Sequence, residues 1–248
     1  MKKILALFDV AEPPEPILNF IRNLYIVQEF SLKIVFYGFP EPGYSVSDAE
    51  TNIKRFETFC NDHHFPCKIH KDFKSNAELW YEESRYADLL LLSNITWNDS
   101  ADYQYVDLLI HNSECPVLLL PAHYNGHDRN IVAYDGSAAS MYALKQFVQV
   151  FPELLDLDTL IAYADDGHKD IPGLPLLKEY AEQHFSSLAY YVVTAGTPQH
   201  FSAWVEGKGN TMIVSGAKGR SALSEFFRKS FMDELIKNNQ VAVFIAHP

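Results

Sequence analysis

The chain has 248 residues, 48% of them apolar, which is enough for one large core or for two cores of the commonest domain size, about 120 residues each. Its 32 acidic side chains outnumber its 20 basic ones, and the net charge of −12 leaves no broad basic surface. Nucleic acid and anionic membranes are therefore excluded as expected partners, whereas a small anion held by backbone amides is not.

Three features of the sequence predict a soluble, cytoplasmic protein. Met1-Lys2-Lys3 and the apolar residues after it resemble the start of a signal peptide, but Asp9 interrupts the run before an h-region is complete. No later stretch reaches the ~20 apolar residues that a membrane span needs. The cysteines form no even disulfide framework, since there are only Cys60, Cys67 and Cys115.

In chain order, the first half alternates between strand-like and helix-like patterns. The predicted elements are a strand at Lys3–Phe8, a helix at Glu15–Glu29, a strand at Leu32–Tyr37, a helix at Asp48–Asn61, a strand at Lys68–Phe73, a helix at Ala77–Tyr86, a strand at Asp88–Leu92, a helix at about Tyr103–His111 and a strand at Val117–Leu120.

The second half repeats this order, with helical patterns between its strands. Its predicted strands are Asn130–Tyr134, Thr159–Ala164, Leu188–Thr194, Thr211–Ser215 and Val241–Ala246. Strands that alternate with helices of this length predict an α/β fold with two tandem doubly wound domains, each a five-stranded, mainly parallel sheet with helices on both faces.

The first strand of each half points to a duplication. Asp9 and Asp135 each follow an apolar strand, and they lie 126 residues apart. The polar segment 123–128 contains Gly126 and is the predicted linker, which gives domains 1–124 and 128–248. Ligands of doubly wound sheets bind beyond the carboxyl ends of the strands, where the strand order reverses. Asp135 and Gly216 would meet there if the order reverses between strands one and four.

The residues after the fourth strand of the second half carry a more specific pattern. Gly216 and Gly219 are separated by two residues, and nine residues then lead to Lys229-Ser230. With Asp135, this pattern resembles that of the tandem universal stress proteins, an adenine nucleotide α-hydrolase-like (HUP-type) family. Nucleotide-binding members carry the same aspartate and glycines, with a glycine where Lys229 stands.

The resemblance implies a site for ATP or a related adenine nucleotide, with Mg²⁺. Asp135 would face the adenine and the ribose, Ala133 would line the pocket, and the backbone of Tyr163 would read the base. Gly216, Gly219 and Ser230 would surround the ribose and phosphates, because glycine lets backbone amides approach an anion closely. Two outcomes are open for Lys229: its side chain fills the phosphate space, or its ammonium group pairs with a phosphate.

The first half lacks most of this pattern. Asp9 is present, but Val10-Ala11 replaces the following Gly-Ser, and Ser93-Asn94-Ile95-Thr96 stands where the glycine pair is expected. No glycine occurs between Gly43 and Gly126, which excludes a glycine-lined phosphate loop there. We expect the first domain to carry a degenerate motif.

Purely structural roles explain the same residues of the second half as well. Asp135-Gly136-Ser137 is also typical of a turn in which Ser137 caps the next helix. Ser230 and Asp233 have the spacing of a capping box, and the glycines suit a tight turn.

Other chemistry has weaker support. Sulfur and imidazole groups suit zinc, and they cluster at Cys60, His63, His64, Cys67 and His70. Cys67 and His70, three apart on a strand, would point to opposite faces, so a solvated helix end is the better interpretation.

Asp165-Asp166 is read as solvated surface rather than a Mg²⁺ ligand pair. Phe226, Phe227 and Phe231 are read as core or interdomain contacts.

The leading hypothesis is a universal stress protein-like molecule that binds or senses ATP in a stress response and acts by binding rather than catalysis. No catalytic or metal residue is predicted, and slow ATP hydrolysis is left open. The rival hypothesis is an interaction protein of the same fold without nucleotide. The fifth strands of both halves are expected at sheet edges, where they would pair the two domains as an intramolecular pseudo-dimer or support a homodimer.

Overall fold

The computed structural model describes residues 2–9, 15–27, 30–37, 46–72, 77–93, 108–121, 124–164, 170–193, 204–205, 207–208, 210–216 and 241–248. The chain divides into two compact units, Met1–Asn125 and Gly126–Pro248, called unit 1 and unit 2 below. Within the described ranges, no helix has the length and apolar character that a membrane crossing requires.

Unit 1 is a parallel five-stranded sheet with helices between its strands. Its elements are β1 (Lys2–Asp9), a helix at Glu15–Val27, β2 (Phe30–Tyr37), a helix at Val46–Asp62, β3 (Cys67–Asp72), a helix at Ala77–Ser84, β4 (Leu89–Ser93), helical residues 108–112 and β5 (Val117–Leu120). The strand order is β3-β2-β1-β4-β5, and every pair is parallel.

Unit 2 has the same order of strands. Its elements are β6 (Arg129–Tyr134), a helix at Ala138–Val150, a 3-10 turn at Pro152–Leu154, β7 (Asp158–Ala164), a helix at Leu174–Ala181, β8 (Leu188–Val193), β9 (Thr211–Gly216) and β10 (Ala242–Ala246). The strand order is β8-β7-β6-β9-β10, again with parallel pairs throughout.

The predicted fold class is confirmed, and the structure supplies the strand order, which the sequence analysis leaves as a condition. In both units the first strand lies between the second and the fourth, so the reversal falls between strands one and four. The apolar character of the strands explains why they form a parallel sheet, since such sheets are covered on both faces. The described residues of β4, β9 and β10 are accordingly buried almost without interruption.

Aromatic packing fixes the helix that follows β6. Phe147 and Phe151, at the carboxyl end of this helix, contact Phe244 of β10, with ring centroids 5.5 to 5.7 Å apart and all three side chains fully buried. Such aromatic pairs contribute about 0.5–1.5 kcal/mol each beyond the area they bury. The helix is thereby held against the sheet, with its amino end beside the point of reversal.

Candidate functional site

Asp135, Gly136 and Ser137 form a tight turn between β6 and the helix Ala138–Val150. The Asp135 carboxylate accepts a hydrogen bond from the backbone N–H of Ser137 at 2.9 Å. Gly136 has φ +78°, a conformation that glycine adopts without the penalty other residues pay. The Ser137 hydroxyl oxygen accepts the Ser140 N–H at 3.1 Å and caps the helix. The predicted capping role of Ser137 is therefore confirmed.

Gly216 ends β9 directly against the first turn of this helix. A Cβ atom at Gly216 would lie 2.5 Å from the carbonyl carbon of Ala139 and 2.8 Å from the backbone nitrogen of Ser140. Real side chains do not approach backbone atoms so closely, so only glycine fits at this position. Helix packing is thus one physical reason for a glycine at 216, and it brings β9 close to the Asp135 turn.

Pro172, which precedes the helix Leu174–Ala181, also lies against this turn. The Tyr134 hydroxyl donates a hydrogen bond to the carbonyl of Pro172 at 3.1 Å, and a Cβ at Gly136 would lie 2.7 Å from the Cβ of Pro172. Burial, with a smaller contribution from the charge of Asp135, raises the pKa of Tyr134 above its usual value. Pro172 therefore limits the space available to any ligand beside Gly136.

The contact between Tyr134 and Pro172 is not evident from the sequence. Tyr134 ends an apolar strand, and Pro172-Gly173 lies far from the Asp135 motif in sequence. The Pro-Gly pair signals a turn, and Gly173 indeed has φ +64° before the helix at Leu174–Ala181. No local signal, however, tells which residue that turn will contact.

Four of the predicted site residues lie in the described part of unit 2. Ala133 is buried in β6 and pairs with Ala162 of β7, while Tyr163 is 2% exposed and pairs with Tyr134. Together with Asp135 and Gly216, they lie at the carboxyl end of the sheet, on three neighbouring strands or directly after one. The other three, Gly219, Lys229 and Ser230, lie outside the described residues, as do Asp165-Asp166, Phe226, Phe227, Phe231 and Asp233.

The strand register identifies the unit 1 counterpart of Gly216. Ile4 pairs with Leu89 in unit 1, and Asn130 pairs with Met212 in unit 2. Counting from these pairs, Asp9 corresponds to Asp135, and Ser93 corresponds to Gly216. Unit 1 thus carries a side chain where unit 2 has room for none.

The residues with the side chains that suit zinc belong to unit 1. Cys60 belongs to the helix Val46–Asp62, whereas Cys67 and His70 belong to β3. In the part of the chain that the structure describes, no three His, Cys, Asp or Glu side chains group as ligands of a metal ion. The thiols of Cys60 and Cys67 interact with each other, which no pattern in the sequence indicates.

Two surface grooves lie elsewhere. A groove of about 600 Å³ in unit 1 is lined mainly by the helices Glu15–Val27 and Val46–Asp62. A groove of about 310 Å³ in unit 2 lies at the amino ends of β6, β7 and β8, with Arg129, Asp158 and Lys208 in its wall. The second groove is therefore at the opposite end of the sheet from Asp135.

The architecture is shared with solved structures of low sequence identity. A universal stress protein from Archaeoglobus fulgidus DSM 4304 superposes with a TM-score of 0.75 at 16% identity, covering 99% of this chain and 96% of that one. A protein from Pseudomonas aeruginosa UCBPP-PA14, provisionally named a universal stress protein, gives a TM-score of 0.63 at 14% identity, with 100% and 94% covered. The chain has the universal stress protein fold.

The same fold also occurs in a different setting. The cytoplasmic domain of a prokaryotic cation chloride cotransporter matches with a TM-score of 0.55 at 10% identity, covering 98% of this chain and 94% of that one. No family model and no curated protein matches the sequence. The universal stress protein fold by itself therefore leaves the function to be argued from the site.

Proposed function

We propose that unit 2 binds an adenine nucleotide at the carboxyl end of β6 and β9, and that the protein acts through this binding rather than through catalysis. The observation that carries the proposal is the convergence of the Asp135 turn, the end of β9 at Gly216 and the amino end of the helix Ala138–Val150. This is the crevice in which doubly wound sheets bind ligands.

The chemistry of the site suits a nucleotide better than a simple anion. A carboxylate at Asp135 accepts hydrogen bonds from ribose hydroxyls or an exocyclic amine, and the helix amino end carries the partial positive charge that favours phosphate. Because Gly216 has no side chain, no side-chain atoms of residue 216 occupy the space where β9 meets the first turn of the helix Ala138–Val150. In this proposal, Ala133 and the Tyr163 backbone contact the base, and Gly219, Lys229 and Ser230 contact the ribose and phosphates.

Unit 1 has a structural or regulatory role in this proposal. Its counterpart position carries Ser93 in place of Gly216, and its sequence lacks a glycine-rich loop. Pairing of the two units through their fifth strands, association into a homodimer, a cytoplasmic location and a role in stress remain parts of the proposal. Nucleotide binding would then shift the population of conformations towards the one that binds it better.

The duplication supplies a matched control for testing the site. Asp135→Asn keeps an oxygen that can accept the Ser137 N–H but removes the charge, whereas Asp9→Asn makes the same change in unit 1. We expect Asp135→Asn to weaken nucleotide binding by on the order of 10-fold or more, since hydrogen bonds to charged groups contribute about 1.5–3 kcal/mol. Asp9→Asn is expected to leave binding unchanged.

The measurement begins with the purified wild type. The protein is denatured and the supernatant is analysed for nucleotides by mass spectrometry, followed by titration of both variants with ATP, with and without Mg²⁺. Equal affinities for Asp135→Asn and Asp9→Asn would contradict the proposed site. Linear phosphate release that disappears in Asp135→Ala would contradict a purely binding role.

A second function has support from the same turn. Asp135 and Ser137 hydrogen-bond to the local backbone, and Gly216 is required by helix packing, so these residues have structural roles without any ligand. These roles explain the motif without a nucleotide, and the second function that we propose is that of an interaction protein of the same fold that works through dimerisation. A wild type that holds no nucleotide and releases no heat with ATP would favour this second function.

A further inference from the structure

The end of the helix Val46–Asp62 and the start of β3 bring two cysteines together. His64 has φ +55°, and the Phe65 N–H donates to the carbonyl of Cys60 at 3.0 Å, so the chain reverses immediately after the helix. Only six residues, 61–66, separate Cys60 from Cys67. Side-chain packing of Phe59, His63 and Phe65 holds this reversal, with ring centroids 4.3 to 5.5 Å apart.

The side chains of Cys60 and Cys67 interact with each other, and neither cysteine is part of a disulfide. Cys60 is 4% exposed, whereas Cys67 is partly exposed at the start of β3, the edge strand of the unit 1 sheet. The hydrogen bond from the Cys60 thiol lowers the pKa of Cys67, while the same contact and burial raise the pKa of Cys60. Cys67 is thus the more accessible thiol and the better nucleophile of the two.

We propose that Cys60 and Cys67 form a redox-active dithiol, a modification site on unit 1 that low-molecular-weight disulfides oxidise to an intramolecular disulfide. The Cys67 thiolate attacks one sulfur of the small disulfide, forms a mixed disulfide and releases one small thiolate. Cys60 then loses its proton to solvent, attacks the Cys67 sulfur and releases the second small thiolate. The protein loses two electrons and two protons, and the small disulfide becomes two thiols.

The third cysteine provides an internal control. Cys115 is 9% exposed, and burial raises its pKa to about 12, so little reactive thiolate forms there. The chain contains no other cysteine, so an intramolecular disulfide has three possible pairings, and the proposal selects Cys60 with Cys67.

The test equilibrates the full-length wild type with mixtures of oxidised and reduced glutathione, quenches it with acid and measures intact mass and a peptide map. We expect the loss of two hydrogen masses per chain, a crosslink that joins Cys60 to Cys67, and recovery of both thiols in excess reduced glutathione. A wild type that keeps all its thiols at every ratio, or a crosslink that includes Cys115, would overturn the proposal.

Two variants separate the dithiol from general thiol oxidation. Cys115→Ser is expected to lose two hydrogen masses as the wild type does, whereas Cys67→Ser is expected to form no intramolecular disulfide. The same two-hydrogen loss in Cys67→Ser would overturn the proposal. The wild-type peptide map needs no substitution, so the proposal remains testable even if a variant folds poorly.

Discussion

Replacing Gly216 with alanine is expected to destabilise unit 2 selectively. The new Cβ would lie 2.5 Å from the Ala139 carbonyl carbon and 2.6 Å from the Ala139 oxygen, where ordinary contacts begin at 3.4 Å. Both atoms belong to the backbone, so no rotation of a side chain relieves the contact. The helix or the end of β9 must move by about 1 Å, and overpacking of this kind costs about 1–3 kcal/mol.

Hydrogen exchange measured by mass spectrometry localises this effect. The variant Gly216→Ala is expected to lose amide protection in peptides from the helix Ala138–Val150. Phe147 holds the carboxyl end of that helix against Phe244, so the new Cβ displaces the amino end. Peptides from the helix Glu15–Val27 are expected to keep theirs. Two units need not unfold in one transition, so a local readout is preferable to a single midpoint.

The unit 1 counterpart gives the matched control. Ser93→Ala keeps a Cβ at the position that corresponds to Gly216, so it is expected to leave the exchange of both units near the wild-type pattern. If the unit 2 peptides of Gly216→Ala exchanged their amide hydrogens as the wild type does, the close approach of β9 to the helix would not constrain residue 216.

Three further expectations concern the same unit. Ser137→Ala removes the helix cap and is expected to cost about 1 kcal/mol in urea unfolding, whereas Ser137→Asn should retain most of it; equal costs would count against the cap. Gly136→Ala is expected to lower the melting temperature more than Ser137→Ala, because alanine is strained at φ +78° and its Cβ would meet Pro172. A Gly136→Ala protein as stable as the wild type would contradict that geometry. Burial lowers the pKa of His127 from 6.5 to about 4, so the neutral imidazole favours the folded state. This stabilisation is complete above pH 6.5 and is lost as the pH falls from 6.5 to 4, which lowers the free energy of unfolding by up to about 3 kcal/mol. Urea unfolding at several pH values should show this loss in the wild type and a flatter profile in His127→Gln; identical profiles would refute it.

The positions of the strands along the chain follow from sequence patterns that the fold directly requires. Runs such as Ile131–Tyr134 are apolar because parallel strands are covered on both faces, and the repeated aspartates revealed the duplication before any geometry was known. The turn at Asp135-Gly136-Ser137 was also readable, since each residue type favours a specific local conformation. Local preference and short-range periodicity are the information that a single sequence carries.

The contacts between distant segments were not readable in the same way. No residue near Gly136 in the sequence indicates that Pro172 will contact it. The sequence suggests a phosphate loop as the reason for Gly216, and the structure adds a second reason, the packing of Gly216 against Ala139. The dithiol was missed for a similar reason. Side-chain alternation correctly separates the faces of β3, but it does not give the distance from Cys67 to a helix that precedes the strand.

Calorimetric titration with ATP tests the central claim, a single nucleotide site in unit 2, most directly. The variants are Gly219→Trp, which fills the proposed phosphate loop, and Thr96→Trp, which introduces the same side chain at the corresponding position of unit 1. One nucleotide bound per chain, lost in Gly219→Trp and kept in Thr96→Trp, is the result that the proposed site predicts. A wild type that releases no heat, or a Gly219→Trp protein that binds as tightly as the wild type, would contradict it.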